Sequence, residues 1–440
     1  MGRGAVERLS KAELIELVVR LERPEKTSRP SSQPPSTDRK EQREKSKPGG
    51  AKPGHQGHSR VMSETPDAGV EPRPGQGSGC GVALGADLLA ETVSIHERVA
   101  LPAVKPLITH HRRLTVRCPA CGTRVGAPVP EAARGPPVGP RLHAVATYLK
   151  TFQALSDERL QGAWSDLFGL QLSQGGLMTL LRRAQGRFEG GQRSAISALR
   201  QAEMVASDET GVRIEGANAY HWVFGSSAAV VHQAAPTRAA SGVCAMMDGH
   251  RAASGVCAMM DGHRPALWLS DRYAAQQGHG VVHQTGLAPL ARDIADAVEA
   301  SDDPVPWRLP IWLDAVFALA GRVTSLAAST LAAKPRTLDR PLAGLLTTAS
   351  RGDLTRALQA KISRARDQRL TFLDHPGTVE VTNNACERAL RPAVVQRKVT
   401  NGSRAMGAAD GEAAVRTVVD TARLTSGTSV FGTILRAVTA

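Results

Sequence analysis

The sequence is poor in aromatic residues and in cysteine, and it contains no long apolar run. Phe, Trp and Tyr make up 3% of its 440 residues, so a core has to be built mainly from Ala, Val and Leu. No apolar segment approaches the roughly 18 residues that a membrane helix needs. Charged residues are spread through the first twenty positions, where a signal peptide needs an apolar stretch. We therefore exclude membrane and secreted proteins and expect a cytoplasmic protein whose six cysteines are thiols or metal ligands.

Acidic residues are outnumbered by basic ones. The chain has 55 Lys and Arg against 41 Asp and Glu, which gives a net charge of +14. Such an excess predicts a polyanionic partner, because neutralising phosphates releases counterions and drives binding to any nucleic-acid sequence. A proteome rich in arginine would produce the same balance, so the charge favours nucleic acid without establishing it.

The N-terminal region divides into two segments. Residues 1–22 predict a leucine-rich helix, because a capping-box pattern precedes apolar residues at helical spacing. This helix could form a short coiled coil or dock on its own domain. Residues 23–65 are rich in proline, glycine and basic residues, which predicts a flexible linker. Lys47 and Lys52 in this linker are candidates for contact with a DNA backbone, although a solvated hinge would have the same composition.

Residues 66–130 carry a cysteine cluster that is typical of a small zinc-ribbon-like module. A Cys-Pro-Ala-Cys turn lets two thiolates meet one zinc ion, and a structural site usually has a second such pair. The candidate ligands are Cys80, Cys118 and Cys121. Gly77 stands where a partner for Cys80 is expected, so the fourth ligand is either missing or a histidine such as His110 or His111. Ordinary thiols are the alternative.

The remainder of the chain predicts an α+β multidomain protein. Its segments are a helical region at 131–200, a strand-rich region at 201–285, a helical region at 286–378 and a basic helical region at 379–440. In 131–200, leucines recur at helical spacing and are the predicted core. These leucines are Leu149, Leu155, Leu160, Leu167, Leu170, Leu172, Leu177, Leu180 and Leu181.

Within the strand-rich region lies a perfect tandem duplication, at 238–263. The thirteen residues of 238–250 recur without a change at 251–263. Two copies are too few for a solenoid, so we interpret them as a recent duplication in the gene. We assign no chemistry to the two cysteines it contains, Cys244 and Cys257.

Acidic residues follow two apolar strands of similar design. Each predicted strand ends in a serine and then an aspartate, Asp208 in the first and Asp271 in the second. Carboxylates delivered at the ends of strands in one sheet can share Mg²⁺, which leaves coordination positions open for phosphate oxygens and water. A two-metal phosphoryl-transfer site usually has a third acid, and Glu387 is the best candidate. Taken singly, each aspartate is better explained as a cap or a turn residue, and only the three acids together favour a metal site.

Glu387 lies among cations that predict a phosphate-binding surface. These cations are Arg388, Arg391, Arg397, Lys398 and Arg404. A carboxylate in such surroundings is expected to bind a metal ion beside DNA.

At these residues the chain resembles the TnpC-type transposases of the insertion sequence 66 family. The resemblance extends over nearly the whole length and includes the N-terminal helix and the Cys-Pro-Ala-Cys-Gly turn. Its longest motifs are LSDERLQGAWSDLFGLQLSQGGL at 155–177, SDETGVRI at 207–214, WLSDRYAAQQGHG at 268–280 and TNNACERALRPAVVQRKVTNGSRA at 382–405. The stretch ending GHQGH at 54–58 also belongs to the pattern.

The resemblance implies a DDE transposase with an RNase H-like α/β catalytic core and a helical insertion at 286–378. Asp208, Asp271 and Glu387 match the family's catalytic acids, which work with Mg²⁺ or Mn²⁺. Water first frees a 3′-hydroxyl at the element's end, and that hydroxyl then attacks target DNA. The family further implies a zinc-finger-like module that recognises the terminal repeats, a homo-oligomer that pairs two element ends, and element-encoded accessory proteins. Such an enzyme works on the bacterial nucleoid.

Three departures from the family pattern affect the expected activity. Gly77 stands where the family usually has cysteine, while Gly286 and Pro289 replace a cysteine and a histidine near the second acid. We expect Pro289 to break a helix, and we expect the duplication to be tolerated only if it loops out to solvent. Two alternatives therefore remain open. The chain could be a transposase remnant that only binds DNA, or an RNase H-like nuclease that cuts RNA–DNA hybrids.

Overall fold

The computed structural model describes residues 56–57, 60–237, 259–271, 276–301, 303–350 and 352–440. The predicted helix of 1–22, Lys47, Lys52 and the two duplicated cysteines lie outside the described residues. The chain divides into two units, the first ending at Ala103 and the second beginning at Val104. No helix in the described ranges is both long enough and apolar enough to span a membrane.

The described part of the first unit has little regular secondary structure. Gln76 and Ala83 form an isolated antiparallel bridge around a turn in which Gly77 N–H donates to the carbonyl of Val82 at 2.9 Å. Cys80 is exposed in this turn. A side chain at position 77 would place its Cβ 3.1 Å from the Cys80 sulfur, so a cysteine there would be a neighbour of Cys80.

The second unit opens with a short hairpin followed by four helices. The hairpin pairs β1 (Thr115–Arg117) with β2 (Arg124–Gly126). The helices are α1 (Pro140–Thr151), α2 (Asp157–Phe168), α3 (Gln174–Gly186) and α4 (Glu189–Arg200). Leucines of α2 and α3 pack on α1 as the predicted periodicity requires, but Leu167 is 63% exposed and was wrongly assigned to the core.

A mixed five-stranded sheet forms the centre of the second unit. Its strands are β3 (Met204–Ile214), β4 (Ala217–Gly225), β5 (Val230–Ala235), β6 (Leu267–Ser270) and β7 (Val282–Thr285). Their order in the sheet is β5-β4-β3-β6-β7. The first three strands are antiparallel neighbours, whereas β6 and β7 run parallel to β3. The chain is thus an α+β protein, as the sequence predicts, and its sheet is mixed.

Seven further helices follow the sheet in the described ranges. They are α5 (Leu287–Ala300), α6 (Pro304–Ala320), α7 (Ala328–Thr347), α8 (Asp353–Arg364), α9 (Asn384–Thr400), α10 (Met406–Ala422) and α11 (Val430–Thr439). Helices α5 to α8 enclose one apolar cluster that also includes Leu267 of β6. Helix α9 lies against β3 and β4, which brings its first turn to the centre of the sheet.

Both outer strands of the sheet are covered by other parts of the chain. On β5, the Thr417 hydroxyl of α10 accepts from the backbone N–H of His232 at 2.9 Å, and the Thr421 hydroxyl lies 3.0 Å from both backbone groups of Val230. On β7, the Thr371 hydroxyl donates to the carbonyl of His283 at 2.9 Å. These contacts satisfy polar groups that an edge strand otherwise exposes.

One expectation drawn from the departures is wrong. Pro289 does not break a helix: it lies in the first turn of α5, where backbone N–H groups need no helical partner. Residues 238–258 of the duplication lie outside the described residues, so its expected loop into solvent stays a prediction. Its Met259 and Met260 are each 3% exposed and join the apolar cluster of Trp222 and Trp268.

Candidate active site

Asp208 and Asp271 lie side by side on neighbouring parallel strands. Ala206 of β3 is level with Leu269 of β6, so continuing the register by two residues makes Asp208 level with Asp271. Asp271 directly follows the last residue of β6, as predicted. Asp208 does not end its strand, because β3 continues to Ile214 through pairing with β4.

Glu387 reaches the same place from the first turn of α9. Asn383 fixes this turn, because its buried amide donates to the backbone carbonyl of Ser207 at 2.8 Å. Glu387 N–H in turn donates to the carbonyl of Asn383 at 3.1 Å. The structure therefore connects the start of α9 to the residue that precedes Asp208.

The buried carboxyl groups strongly perturb one another. Burial, followed by the charges of Asp271 and Glu209, raises the pKa of Asp208 to about 8. Burial, followed by the charges of Glu387 and Glu209, raises the pKa of Asp271 to about 6, against the opposing effect of Arg292 and Lys361. One oxygen of Asp271, Oδ1, is buried and has no hydrogen-bond partner among the described residues. A cation would stabilise such a group.

Cations of the helical region approach this cluster. Arg292 of α5 forms an ion pair with Glu387 at 3.4 Å, and Lys361 of α8 forms one with Asp293. Within the described ranges, no three His, Cys, Asp or Glu side chains already have the arrangement of a metal site. Asp208 and Asp271 are therefore brought together, whereas the Glu387 carboxylate is paired with Arg292.

The carboxylates line an open cleft of about 850 Å³ between the sheet and the helical region. Asp208, Glu209 and Asp271 form one wall. The other residues that line the cleft are Thr285, Gly286, Pro289, Leu290, Lys361, Ile362 and Ala365. Among the described residues that line the cleft, three are acidic and Lys361 is the one cation.

Both family departures near the second acid lie in this cleft. Gly286 follows β7, and a Cβ at that position would be 3.5 Å from Asp271 Oδ1 and 3.4 Å from Asn383. Pro289 lines the same space three residues later. Glycine is not required here by close packing, since both distances allow ordinary contact. A cysteine and a histidine at these positions would add two polar groups beside Asp271.

Sequence reasoning missed four residues of the site. Glu209 is the residue next to Asp208, and its carboxylate accepts from the amide of Gln276, which also contacts the Ser207 hydroxyl at 2.9 Å. The adjacent acids in the sequence were a usable signal for Glu209. Asn383, Arg292 and Lys361 gave no comparable signal, because only the packing of α5, α8 and α9 brings them to the cleft.

The predicted DNA-contacting cations follow Glu387 along α9 and beyond it. Arg388, Arg391, Lys398 and Arg404 are exposed. Arg397 differs, because its guanidinium donates to the backbone carbonyl of Gly211 and burial lowers its pKa. Arg397 thereby attaches α9 to β3, so its side chain is not a free phosphate contact.

The Cys-Pro-Ala-Cys turn lies between β1 and β2. The backbone closes it, since Cys118 N–H donates to the carbonyl of Thr123 at 2.8 Å and Gly122 N–H donates to that of Cys118 at 2.9 Å. Hydrogen bonds to Thr123, and then to Cys118, lower the pKa of Cys121. This favours the thiolate that metal binding requires. Cys80, the third predicted ligand, belongs to the first unit.

A carboxylate cluster beside exposed arginines is the arrangement expected of an enzyme that processes DNA. Comparison with known families specifies the class: residues 135–411, well over half of the chain, match the model of the transposase IS66 family. The chain therefore belongs to that family, and the resemblance drawn from its motifs is confirmed. No curated protein matches the chain significantly.

Proposed function

We propose that the chain is a metal-dependent DNA transposase that cuts and joins DNA by a DDE mechanism. The observation that carries the proposal is the level placement of Asp208 and Asp271 on adjacent parallel strands, with Glu387 entering from α9. The strand order β5-β4-β3-β6-β7, antiparallel at one end and parallel at the other, supports an RNase H-like core. Helices α5 to α8, between the second and third acids, correspond to the helical insertion.

The residues of the cleft fit a hard divalent cation such as Mg²⁺ or Mn²⁺. All three predicted ligands offer carboxylate oxygens, and the unpartnered Oδ1 of Asp271 is buried where a cation would compensate its charge. Asp208, Asp271 and Glu387 would hold the ion, and Glu209 is close enough to contribute. When bound, the metal would supply electrostatic stabilisation of the attacking and leaving oxygens.

The chain's own residues would position the DNA. In the first step a water oxygen forms a bond to phosphorus while the bond from phosphorus to the 3′-oxygen breaks. The attacking water loses a proton to solvent, and the leaving 3′-oxygen takes up a proton to become the 3′-hydroxyl. In the second step the freed 3′-hydroxyl attacks a target phosphodiester in the same way. Lys361 faces the cleft where a phosphate oxygen would lie. Arg388 and Arg391 are exposed on α9 and would hold the flanking backbone.

Cleavage of labelled element ends in Mg²⁺ or Mn²⁺ tests the proposal. We expect Asp208→Ala, Asp271→Ala and Glu387→Ala each to abolish cutting, a loss of at least about 10²-fold, with DNA binding largely intact. The matched control is Asp166→Ala on the exposed face of α2, which should cut like the unaltered chain. Cutting that survives Asp271→Ala would refute the assignment of the acids.

A DNA-binding remnant without catalysis is the second candidate. Two features favour it. Glu387 is paired with Arg292, and the cysteine and histidine of the family pattern are replaced by Gly286 and Pro289. The unaltered chain would then bind ends without cutting them. Cutting of a labelled RNA–DNA hybrid, with duplex ends left intact, would instead indicate an RNase H-like nuclease.

Several partners complete the proposal. The DNA partners are the element's ends and a target, and pairing of two ends calls for a homo-oligomer together with element-encoded accessory proteins. Zn²⁺ would be held by Cys118 and Cys121 of the turn between β1 and β2. The chain would work on the nucleoid in the bacterial cytoplasm. Zinc content of the purified chain, compared with Cys118→Ser, tests the zinc assignment.

A further inference from the structure

Helices α2 and α3 are joined by a short, well-ordered turn at 169–173. Gly169 ends α2 in the left-handed region, with φ of +64°, and its N–H donates to the carbonyl of Ser165 at 3.0 Å. Ser173 begins α3, because its hydroxyl accepts from the N–H of Gly176 at 3.1 Å. A glycine at one end and a serine cap at the other define both helix boundaries.

Side chains hold this turn to α2. The amide of Gln161 donates to the carbonyl of Leu172 at 2.6 Å, and the amide of Gln171 donates to the Ser165 hydroxyl at 2.9 Å. These hydrogen bonds fix the position of the turn, and with it the start of α3, relative to α2.

Helix α1 packs against both α2 and α3. The three helices share one apolar cluster, whose fully buried members are Ala146, Leu160, Trp164, Leu177, Leu180 and Leu181. The buried residues of α3 lie on one side, so its opposite side faces solvent. Three helices with a rigid turn between the last two are the frame of a helix-turn-helix motif.

The outward side of α3 has the chemistry of a surface that reads DNA. Gln174, Gly175, Thr179, Arg182 and Arg183 are exposed there. Helix α3 contains no acidic residue, so the positive charges of its arginines complement phosphates or guanine edges. A Cβ at Gly175 would meet no atom within 4 Å, which leaves room for a close approach.

We propose that α3 is the recognition helix of a helix-turn-helix unit and enters the major groove of duplex DNA. Its N-terminal residues, Gln174 and Gly175, would face base edges, as in known helix-turn-helix proteins. Arg182 would contact a guanine or a flanking phosphate. The choice of DNA as partner rests on the proposed function. The inference adds a sequence-reading surface that is separate from the cysteine turn and from the arginines of α9.

Selection from a duplex library with about 20 randomised base pairs tests the inference. The full chain is used, and the enriched sequences are compared with those of Gln174→Ala, Gly175→Ala and Arg182→Ala. We expect each variant to lose preference at one or two positions of the enriched sequence, and its affinity for that sequence to fall by roughly 5- to 150-fold. Gly175→Ala is the sharpest of the three, because alanine favours the helix and fits the fold.

The matched control is Arg336→Ala on an exposed position of α7, which removes the same charge. It should leave the enriched sequence unchanged. An enriched sequence that survives all three α3 variants, or no enrichment by the full chain, overturns the inference. Thermal unfolding of each variant shows whether a loss of sequence preference comes from misfolding. If the other variants misfold, the result for Gly175→Ala tests the inference. Cleavage distinguishes the two proposals, since Asp271→Asn should lose cutting while it keeps the enriched sequence.

Discussion

The burial of Asp208 makes the stability of the chain depend on pH in a way that one substitution should remove. A pKa raised from 3.8 to about 8 corresponds to at most about 6 kcal/mol of unfavourable free energy once the carboxyl ionises. Between those pH values the folded chain holds a proton that the unfolded chain has released. The free energy of unfolding must therefore fall as pH rises, by up to about 1.4 kcal/mol per pH unit.

Asp208→Asn should abolish this contribution. Because the amide does not titrate, the variant should gain stability relative to the unaltered chain by up to about 2.7 kcal/mol between pH 5 and pH 7. Urea unfolding of both chains in EDTA at several pH values measures this difference. The two chains must be compared because His221 and His232 also make stability depend on pH. Burial lowers the pKa of both histidines, so their contribution to the free energy of unfolding rises with pH up to about 6.5 and opposes that of Asp208.

The control and the metal effect sharpen this measurement. Asp166→Asn, at an exposed position of α2 that does not line the cleft, is the control for replacing a carboxylate with an amide. Mg²⁺ should stabilise the unaltered chain more at pH 8 than at pH 6, because the cation competes with the proton for Asp208. A gain for Asp208→Asn that is the same at pH 5 and pH 7 would refute the reasoning.

Two further predictions concern the fold. Removing Arg251–His263 shortens the connection between Ala235 and Met259, while the first copy supplies the same five residues before Arg264. The deletion should raise the free energy of unfolding by about 0.7 kcal/mol, measured in urea, and a loss of stability would contradict the logarithmic cost of loop closure. Gly402 has φ of +103°, and a Cβ there would lie 2.1 Å from the carbonyl of Arg213. Gly402→Ala should therefore lower the free energy of unfolding, measured by thermal unfolding, by about 3 kcal/mol or more. The control is Gly216→Ala, where φ is positive but no atom lies near the added Cβ, and it should cost about 1 kcal/mol. Equal costs for the two variants would show that the structure relaxes around the clash.

The sequence pattern located the aspartates because their signal is local. An apolar strand followed by serine and aspartate occurs twice, and parallel pairing makes the two aspartates level. The same pattern wrongly ended β3 at Asp208, since the residues that continue the strand pair with β4 only in the fold. The catalytic role of the three acids stays a prediction.

Residues that depend on tertiary neighbours could not be predicted. Lys361 faces the cleft only because α8 packs on α5, and nothing about its sequence neighbours marks it. Leu167 shows the opposite failure, since helical spacing alone does not separate a core position from an exposed one at the end of α2. The expectation that Pro289 breaks a helix was wrong because proline is tolerated in the first turn, and the sequence did not show that α5 begins at Leu287.

The covering of both outer strands has a consequence for assembly. The Thr417 and Thr421 hydroxyls occupy backbone groups of β5, and the Thr371 hydroxyl occupies one of β7. An incoming strand would have to displace these hydroxyls before it could lengthen the sheet. If copies of the chain assemble on two element ends as proposed, we expect them to meet through helical faces, so that the sheet of each copy keeps its strand pairing.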